Sequence, residues 1–388
     1  MQTAKLARAS NIVTWNKWFM TCMGLWPLNV NNFLYVFFTT YMIIYCSMAV
    51  RHLLKHFGQA ESIIANLTDN IFLSMIIGKM FICRMSCKDM TKFLKAIKDD
   101  FTTHNYTSVQ EEMAYLRYNE LALIFTKYSM SISAFTATMY YLRTFIINWR
   151  QFLTGNFSYD ELPYPVQPFF EIKDTTTYAC VSAYLFITVP IIICGYAGAD
   201  AYVLSMVLHI CGQYAALAYK VDNLLRHQEN YQRNIGNIVI KHRLLITLAE
   251  ILEKNFTIIF LQQTLGTILL LCLTLFHMIT NSEHGDNASV VAFILYTFCV
   301  SMTIFGYCYI GDCFINESAA LRDAFYNTEW YNNPPSCTKL ISICMVRAEK
   351  PMVLTAAKFF PLSLSTFTNI VKTSMAYLSI LRNFIVKF

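Results

Sequence analysis

Strongly polar side chains sit inside long apolar runs of this sequence, among them Asp69, Lys79, Lys127, Asp200, His209, Gln213, Gln262, Gln263 and Lys372. Desolvating an ionisable group is costly, so each must pair, line a wet cavity or reach an interface. Lys79 and Lys127 lie near one end of their runs and are expected to snorkel, with the stem buried and the ammonium at the headgroups. Asp200, His209 and Gln213 share a run, and His209 and Gln213 stand four residues apart on one helical face. They read as a hydrogen-bonded packing site rather than a catalytic pair. Cys83 and Cys87 are one helical turn apart, but no His or second Cys pair completes a four-ligand set, so no metal site is expected. The sequence has no Gly-rich phosphate loop, GxSxG elbow or HExxH motif, so neither an enzyme nor a cofactor is expected.

The aromatic residues suggest binding instead of bond-making. The chain has 24 Tyr and 30 Phe. Phe72, Tyr140, Tyr141, Tyr184, Phe186, Phe293 and Tyr296 are candidates to line an apolar cavity with a few hydroxyls, suited to small hydrophobic molecules held mainly by burial. In the last run Asn369, Thr373, Ala376, Ile380 and Phe384 recur every three or four residues. They form a stripe that is polar and small at one end and apolar at the other. Such a stripe suits either a wet path closed by an apolar ring, which requires several chains because one helix cannot form a pore, or a helix–helix contact with small residues at the seam.

The elements that carry these residues are spanning helices. Of 388 residues 56% are hydrophobic and 14% charged, and the mean hydropathy is +0.41. That is too apolar for an ordinary soluble domain. Runs long enough to cross a bilayer occupy 33–50, 62–83, 121–147, 177–207, 256–279, 290–310 and 362–381, within a single domain spanning 1–388. No secretory signal precedes the first run. Lys and Arg number 20 in the segments on the N-terminal side of the membrane and 7 on the other, which puts the N-terminus in the cytoplasm and the C-terminus outside. The net charge of +6 follows from this asymmetry and does not point to nucleic acid. The segments 84–120, 218–255 and 311–361 are long and read as helical, so the cytoplasmic ends of the spans extend into a packed bundle. The outer connections hold no cysteine, which leaves no extracellular disulfide. Sequons at Asn156 and Asn287 lie outside and are glycosylation candidates, whereas Asn105 lies inside.

A set of local motifs spans most of the chain: Gly24-Leu25-Trp26-Pro27, Leu162-Pro163-Tyr164, Gly198-Ala199-Asp200-Ala201 and Leu208-His209-Ile210-Cys211-Gly212-Gln213. It continues through Tyr307-Cys308-Tyr309-Ile310-Gly311-Asp312, Ala324-Phe325-Tyr326-Asn327, Lys358-Phe359-Phe360-Pro361-Leu362-Ser363-Leu364 and Phe367 to Tyr377. As a set these motifs resemble the insect odorant receptors. The resemblance implies an all-α integral membrane protein with seven transmembrane helices, its N-terminus cytoplasmic, its C-terminus extracellular, and its inner helices forming a cytoplasmic anchor domain. It further implies a plasma-membrane channel subunit in olfactory neuron dendrites, in lipid contact, that binds volatile odorants in the outer half and assembles with the olfactory co-receptor. In that assembly the last helices surround a nonselective cation pore, with Ile380 at the gate and Phe384 one turn further out. The 218–255 link lacks the co-receptor's long insertion, so the resemblance is to a tuning subunit. A gustatory-type channel of the same architecture is the nearest alternative. A G-protein-coupled receptor would need an external N-terminus and usually a loop disulfide, and a lipid enzyme would have to use His209 or His242.

Overall fold

Long helices account for nearly all of the structure, a computed structural model that describes residues 13–56, 60–102, 106, 108–153, 162–224, 231–283, 287–332 and 334–385. A first helix, α1 (residues 13–22), is followed by α2 (Asn32–Lys55), α3 (Ala60–Thr102) and α4 (Val109–Leu153). The fourth span is divided into α5 (Thr175–Phe186), α6 (Thr188–Ile191), a π-helical segment (Ile192–Ala197) and α7 (Gly198–Leu224). Then come α8 (Tyr231–Glu283), α9 (Asn287–Tyr326), α10 (Pro335–Ala348), a two-stranded hairpin of β1 (Thr355–Ala356) and β2 (Phe360–Pro361), and α11 (Leu364–Ile385). Each of the seven expected spans is helical over most of its length, the seventh from Leu364 onward.

Among the described residues five helical stretches are long and apolar enough to cross a membrane on length and composition: Asn32–Lys55, Asn66–Asp99, Thr175–Asn223, Gln232–Phe276 and Phe293–Tyr326. The expected third and seventh spans lie in α4 and α11, where Ser, Thr, Asn and basic residues dilute the apolar content. Phe33, Val36, Phe37, Ile43, Phe81 and many other large apolar side chains are exposed on the single chain. So much bare apolar surface calls for a lipid solvent or partner chains.

The helix lengths exceed what a bilayer requires. At 1.5 Å per residue the 53 residues of α8 run about 80 Å, against a hydrocarbon core of about 30 Å. The excess of α3, α4, α8 and α9 gathers at one end of the molecule, where α10 joins it. There Tyr118 donates to Glu317 across α4 and α9 at 2.5 Å, Lys254 of α8 reaches Asp89 of α3 at 3.4 Å, and Arg347 of α10 reaches Glu250 of α8 at 3.3 Å. Leu245, Leu248 and Leu252 form the apolar side of α8 in this bundle and are buried.

α7 is the central helix, buried along nearly its whole length. A helix apolar on every side has to be surrounded, and small residues let its neighbours come close. A Cβ on Gly212 would stand 3.1 Å from the backbone oxygen of Tyr115 on α4. The connection from α1 to α2 is also buried, with Leu25 and Trp26 inside. Gly24 turns there with φ +70°, and a side chain at this position would meet the Asn31 carbonyl.

The continuous fourth span expected over 177–207 is interrupted, and Pro190 supplies the reason. Proline has no N–H to donate to the Phe186 carbonyl and its ring crowds that oxygen. The helix therefore breaks at Ile187 and resumes through a π-helical register that ends at Ala197.

Candidate ligand cavity and pore-facing helix

At the end opposite the extended bundle, α3, α4, α9, the π segment and the segment after α4 enclose a cavity of about 60 Å³. The π segment aims Tyr196 into it. Residues 162–168 fold inward to deliver Tyr164, held by Asn66, whose side-chain amide donates to the Pro165 carbonyl at 2.8 Å and the Ala49 carbonyl at 3.1 Å. The amide of Gln167 adds a bond to the Met48 carbonyl at 3.0 Å.

Three of the seven expected ligand-binding residues, Phe72, Tyr140 and Tyr296, line this cavity together. The other four are elsewhere. Tyr141 follows Tyr140 by about 100° around α4, donates to the Ser182 carbonyl at 2.9 Å and meets Phe186 edge-on. Tyr184 packs on Tyr41 and lines a separate groove on the outside of α2, Phe186 is half exposed, and Phe293 is buried away from the cavity. Sequence reasoning missed Tyr164, Tyr196, Ser133, Thr136 and Thr303 and treated Asp69 only as a costly polar group. The Pro-flanked Tyr164 and the Pro190 break before Tyr196 are the local signals that could have found two of them.

The cavity has a polar side. Tyr140 donates to the Asp69 carboxylate, at 3.1 Å to Oδ2 and 3.3 Å to Oδ1, and Arg143, one turn along α4, adds positive potential there. Thr136 sits 3.2 Å from the Cys299 thiol. The hydroxyls of Tyr164 and Tyr296 have no hydrogen-bond partner among the described residues.

One lining residue reaches beyond the cavity. The ring of Tyr196 contacts Phe72 on the cavity side, at 4.7 Å between centroids, and carries the Lys79 ammonium 3.5 Å from its own centroid on another side. Its hydroxyl exchanges hydrogen bonds with Gln263, which continues to Thr267 at 3.2 Å. Lys79 does not snorkel as its position suggested. It is 0% exposed and lies 2.6 Å from Oδ1 and 2.8 Å from Oδ2 of Asp200, which also accepts from Tyr307 of α9 at 2.6 Å. A buried carboxylate on the central helix supplies the counter-charge that the headgroups were expected to provide. Lys127 is exposed. The expected grouping of Asp200 with His209 and Gln213 is not present: His209 Nδ1 lies 3.1 Å from the Tyr115 hydroxyl, and Gln213 donates to Tyr106 at 3.4 Å.

α11 begins where the hairpin docks. Ser363 caps it by accepting from the Thr366 amide at 3.1 Å, and Asp312 accepts from the Leu364 amide at 3.1 Å. Leu362 packs so tightly on α9 that a Cβ at Gly311 would overlap its carbonyl oxygen. On the inward face of α11, Ile370 and Ser374 are buried, with Ile370 against Ile304 and Cys308 of α9 and Phe367 edge-on to Phe305. Away from that face Asn369, Thr373, Ala376 and Ile380 are all exposed, as are Lys372, Met375, Tyr377 and Ser379. Phe384 lies in the last turn of α11 with its side chain outside the described residues, as is the Asn287 side chain at the start of α9. Asn156 and Asn105 fall outside the described residues altogether. Among the described residues no group of His, Cys, Asp or Glu is arranged to hold a metal, and the thirteen cysteines are free thiols.

Comparison with known proteins gives a consistent result. Odorant receptor 10a of Drosophila melanogaster is 20% identical over 329 residues, covering 79% of this chain and 78% of the relative. Odorant receptor 22c of the same species is 24% identical over 199 residues, 48% of each chain. The odorant receptor coreceptor of Ooceraea biroi is 27% identical over 164 residues, 41% of this chain and 33% of its own length. In three dimensions the insect olfactory receptor OR5 from Machilis hrabei, solved in complex with eugenol, superposes with a TM-score of 0.79 at 15% identity, over 97% of this chain and 99% of that one. A family model for the 7tm odorant receptors matches residues 59–375. A match over that much of the chain, on a fold shared from end to end, makes this multi-pass membrane protein a member of the 7tm odorant receptor family.

Proposed function

We propose that this chain is the tuning subunit of an odorant-gated, nonselective cation channel of the plasma membrane, with the olfactory co-receptor as its partner and small volatile molecules as its ligands. The observation that carries this reading is α11, whose inward face is packed on α9 while Asn369, Thr373, Ala376 and Ile380 are left bare. A helix with one face seated and the other bare, graded from polar to apolar, suits the wall of a path shared by several chains. Similarity to a co-receptor sequence supports the partner. The lysine and arginine count supports a cytoplasmic N-terminus, an extracellular C-terminus, and the extended bundle as a cytoplasmic anchor. Dendrites of olfactory neurons are the location the family suggests.

At about 60 Å³ the cavity is well below the usual range for drug-sized ligands, about 300–1,000 Å³. Binding must therefore push its aromatic walls apart, and a ligand that prefers the widened form shifts the population towards it. Tyr196 is the wall best placed to transmit that movement. Its ring lies against the Lys79–Asp200 pair, Asp200 holds Tyr307, and α9 carries α11 through Ile304 and Cys308.

The test is current recorded from cells expressing this chain with and without an insect olfactory co-receptor while volatile odorants are applied. Odour-evoked cation current that needs both subunits is the expected result. Evoked current that requires intracellular GTP would overturn the channel reading.

A further inference from the structure

The polar side of the cavity indicates the chemical class of its ligand. Three groups bear on it. Asp69 offers carboxylate lone pairs beyond those used by Tyr140. Tyr164 is 95% buried, since only 5% of its surface is exposed, and its hydroxyl has no partner among the described residues. The Tyr296 hydroxyl is in the same state. Leaving a buried polar group unsatisfied is costly, so a ligand that pairs with these groups gains what a hydrocarbon cannot.

We infer that the cavity takes a small aromatic alcohol or phenol, whose hydroxyl donates to Asp69 and accepts from Tyr164 or Tyr296 while its ring lies among Phe72, Tyr140 and Tyr196. This rests on the odorant-receptor reading above. A single hydroxyl satisfies both polarities at once. An ether, ester or ketone accepts from the tyrosines but offers no donor to the remaining lone pairs of Asp69, and a hydrocarbon serves neither. A protonated amine would pair with Asp69 but only donates, so it leaves the hydroxyls of Tyr164 and Tyr296 without an acceptor.

Three probes on one skeleton separate these cases: phenethyl alcohol, phenethyl methyl ether and ethylbenzene. Each is applied to the full chain with the co-receptor, with current as one readout and thermal stabilisation of the purified complex as the other. The alcohol is expected to act at concentrations about 10-fold or more below the ether, the ratio for about 1.4 kcal/mol, and ethylbenzene to be weaker still. Asp69→Asn should shrink the alcohol-to-ether ratio while leaving the ether response in place, whereas Tyr164→Phe should weaken alcohol and ether together, since both accept from its hydroxyl, and leave the ethylbenzene response in place. The ether response also shows that Asp69→Asn folds, and the ethylbenzene response that Tyr164→Phe folds. Equal potency of alcohol and ether, or an Asp69→Asn variant that weakens both probes by the same factor, overturns the ligand class and leaves the channel reading intact. Stabilisation by the alcohol without current supports the ligand class and counts against the channel.

Discussion

Lys79 and Asp200 form an ion pair with both side chains buried. Breaking a buried ion pair leaves an uncompensated charge and typically costs about 3–5 kcal/mol, whereas replacing both partners with neutral groups is often tolerated. Lys79→Met alone and Asp200→Asn alone should therefore lower the melting temperature and surface expression sharply, and the double variant should recover much of the loss. If the double variant is as impaired as the sum of the singles, the two side chains do not act as a pair. His242, in the extended bundle, offers a second residue-level test. It is buried beside Phe325, and burial, with repulsion from Arg347 adding to it, holds its imidazole down to about 4 from an ordinary 6.5. Between those values the unfolded chain binds a proton that the folded chain does not. Stability should be unaffected by this group above pH 6.5 and fall as pH drops through the window towards 4. The difference in melting temperature between wild type and His242→Gln should show that dependence, and a flat difference would remove the histidine from the account.

The broken fourth span is the element that shapes the cavity, because the π register sets where Tyr196 points. With Pro190→Ala the amide at 190 can donate to the Phe186 carbonyl again, and the helix should close up. Hydrogen exchange over residues 184–198 is expected to slow, while odorant sensitivity falls because Tyr196 is turned away. Unchanged sensitivity in a variant with slowed exchange would mean that Tyr196 does not read the cavity. The junction of the hairpin with α9 makes the opposite demand. The hairpin turns through Ala357 and Lys358 with positive φ and docks on α8, where the Thr355 amide donates to Glu253 at 2.9 Å and the Ala357 amide to the Thr257 hydroxyl at 2.8 Å. Gly311→Ala would force Leu362 off α9 and loosen the start of α11. A loss of about 1–3 kcal/mol is expected for such overpacking, read as a lower melting temperature and a disturbed channel.

At the scale of the whole molecule, a cavity at one end and an exposed stripe on α11 are joined by packed elements. Ile380→Ser should weaken an apolar constriction and raise the current that flows without odorant. Thr373→Cys should allow a water-soluble thiol reagent to reduce evoked current, faster when the channel is open. Equal basal current in Ile380→Ser, with no reagent effect at position 373, would place this face of α11 against a neighbour instead of a pore.

Much of this organisation was legible in the sequence. Apolar runs of about 20 residues separated by basic segments specify helices that must cross a bilayer, because no other open-ended structure satisfies its backbone there. Family motifs and the periodic stripe from Asn369 to Ile380 were legible for the same reason: each depends on residues near one another along the chain. What only the tertiary structure decided depends on which distant side chains meet. Lys79 could not be told from a snorkelling lysine until Asp200, 121 residues away, stood beside it. Tyr140 lines the cavity and Tyr141 does not, because one residue is about 100° of rotation and helix orientation is set by neighbouring packing. Tyr164 belongs to the cavity because its loop folds inward against Asn66 and Met48. Local patterns fixed the elements, whereas the cavity arises between them, from helix rotations and a proline break whose consequences extend across the bundle.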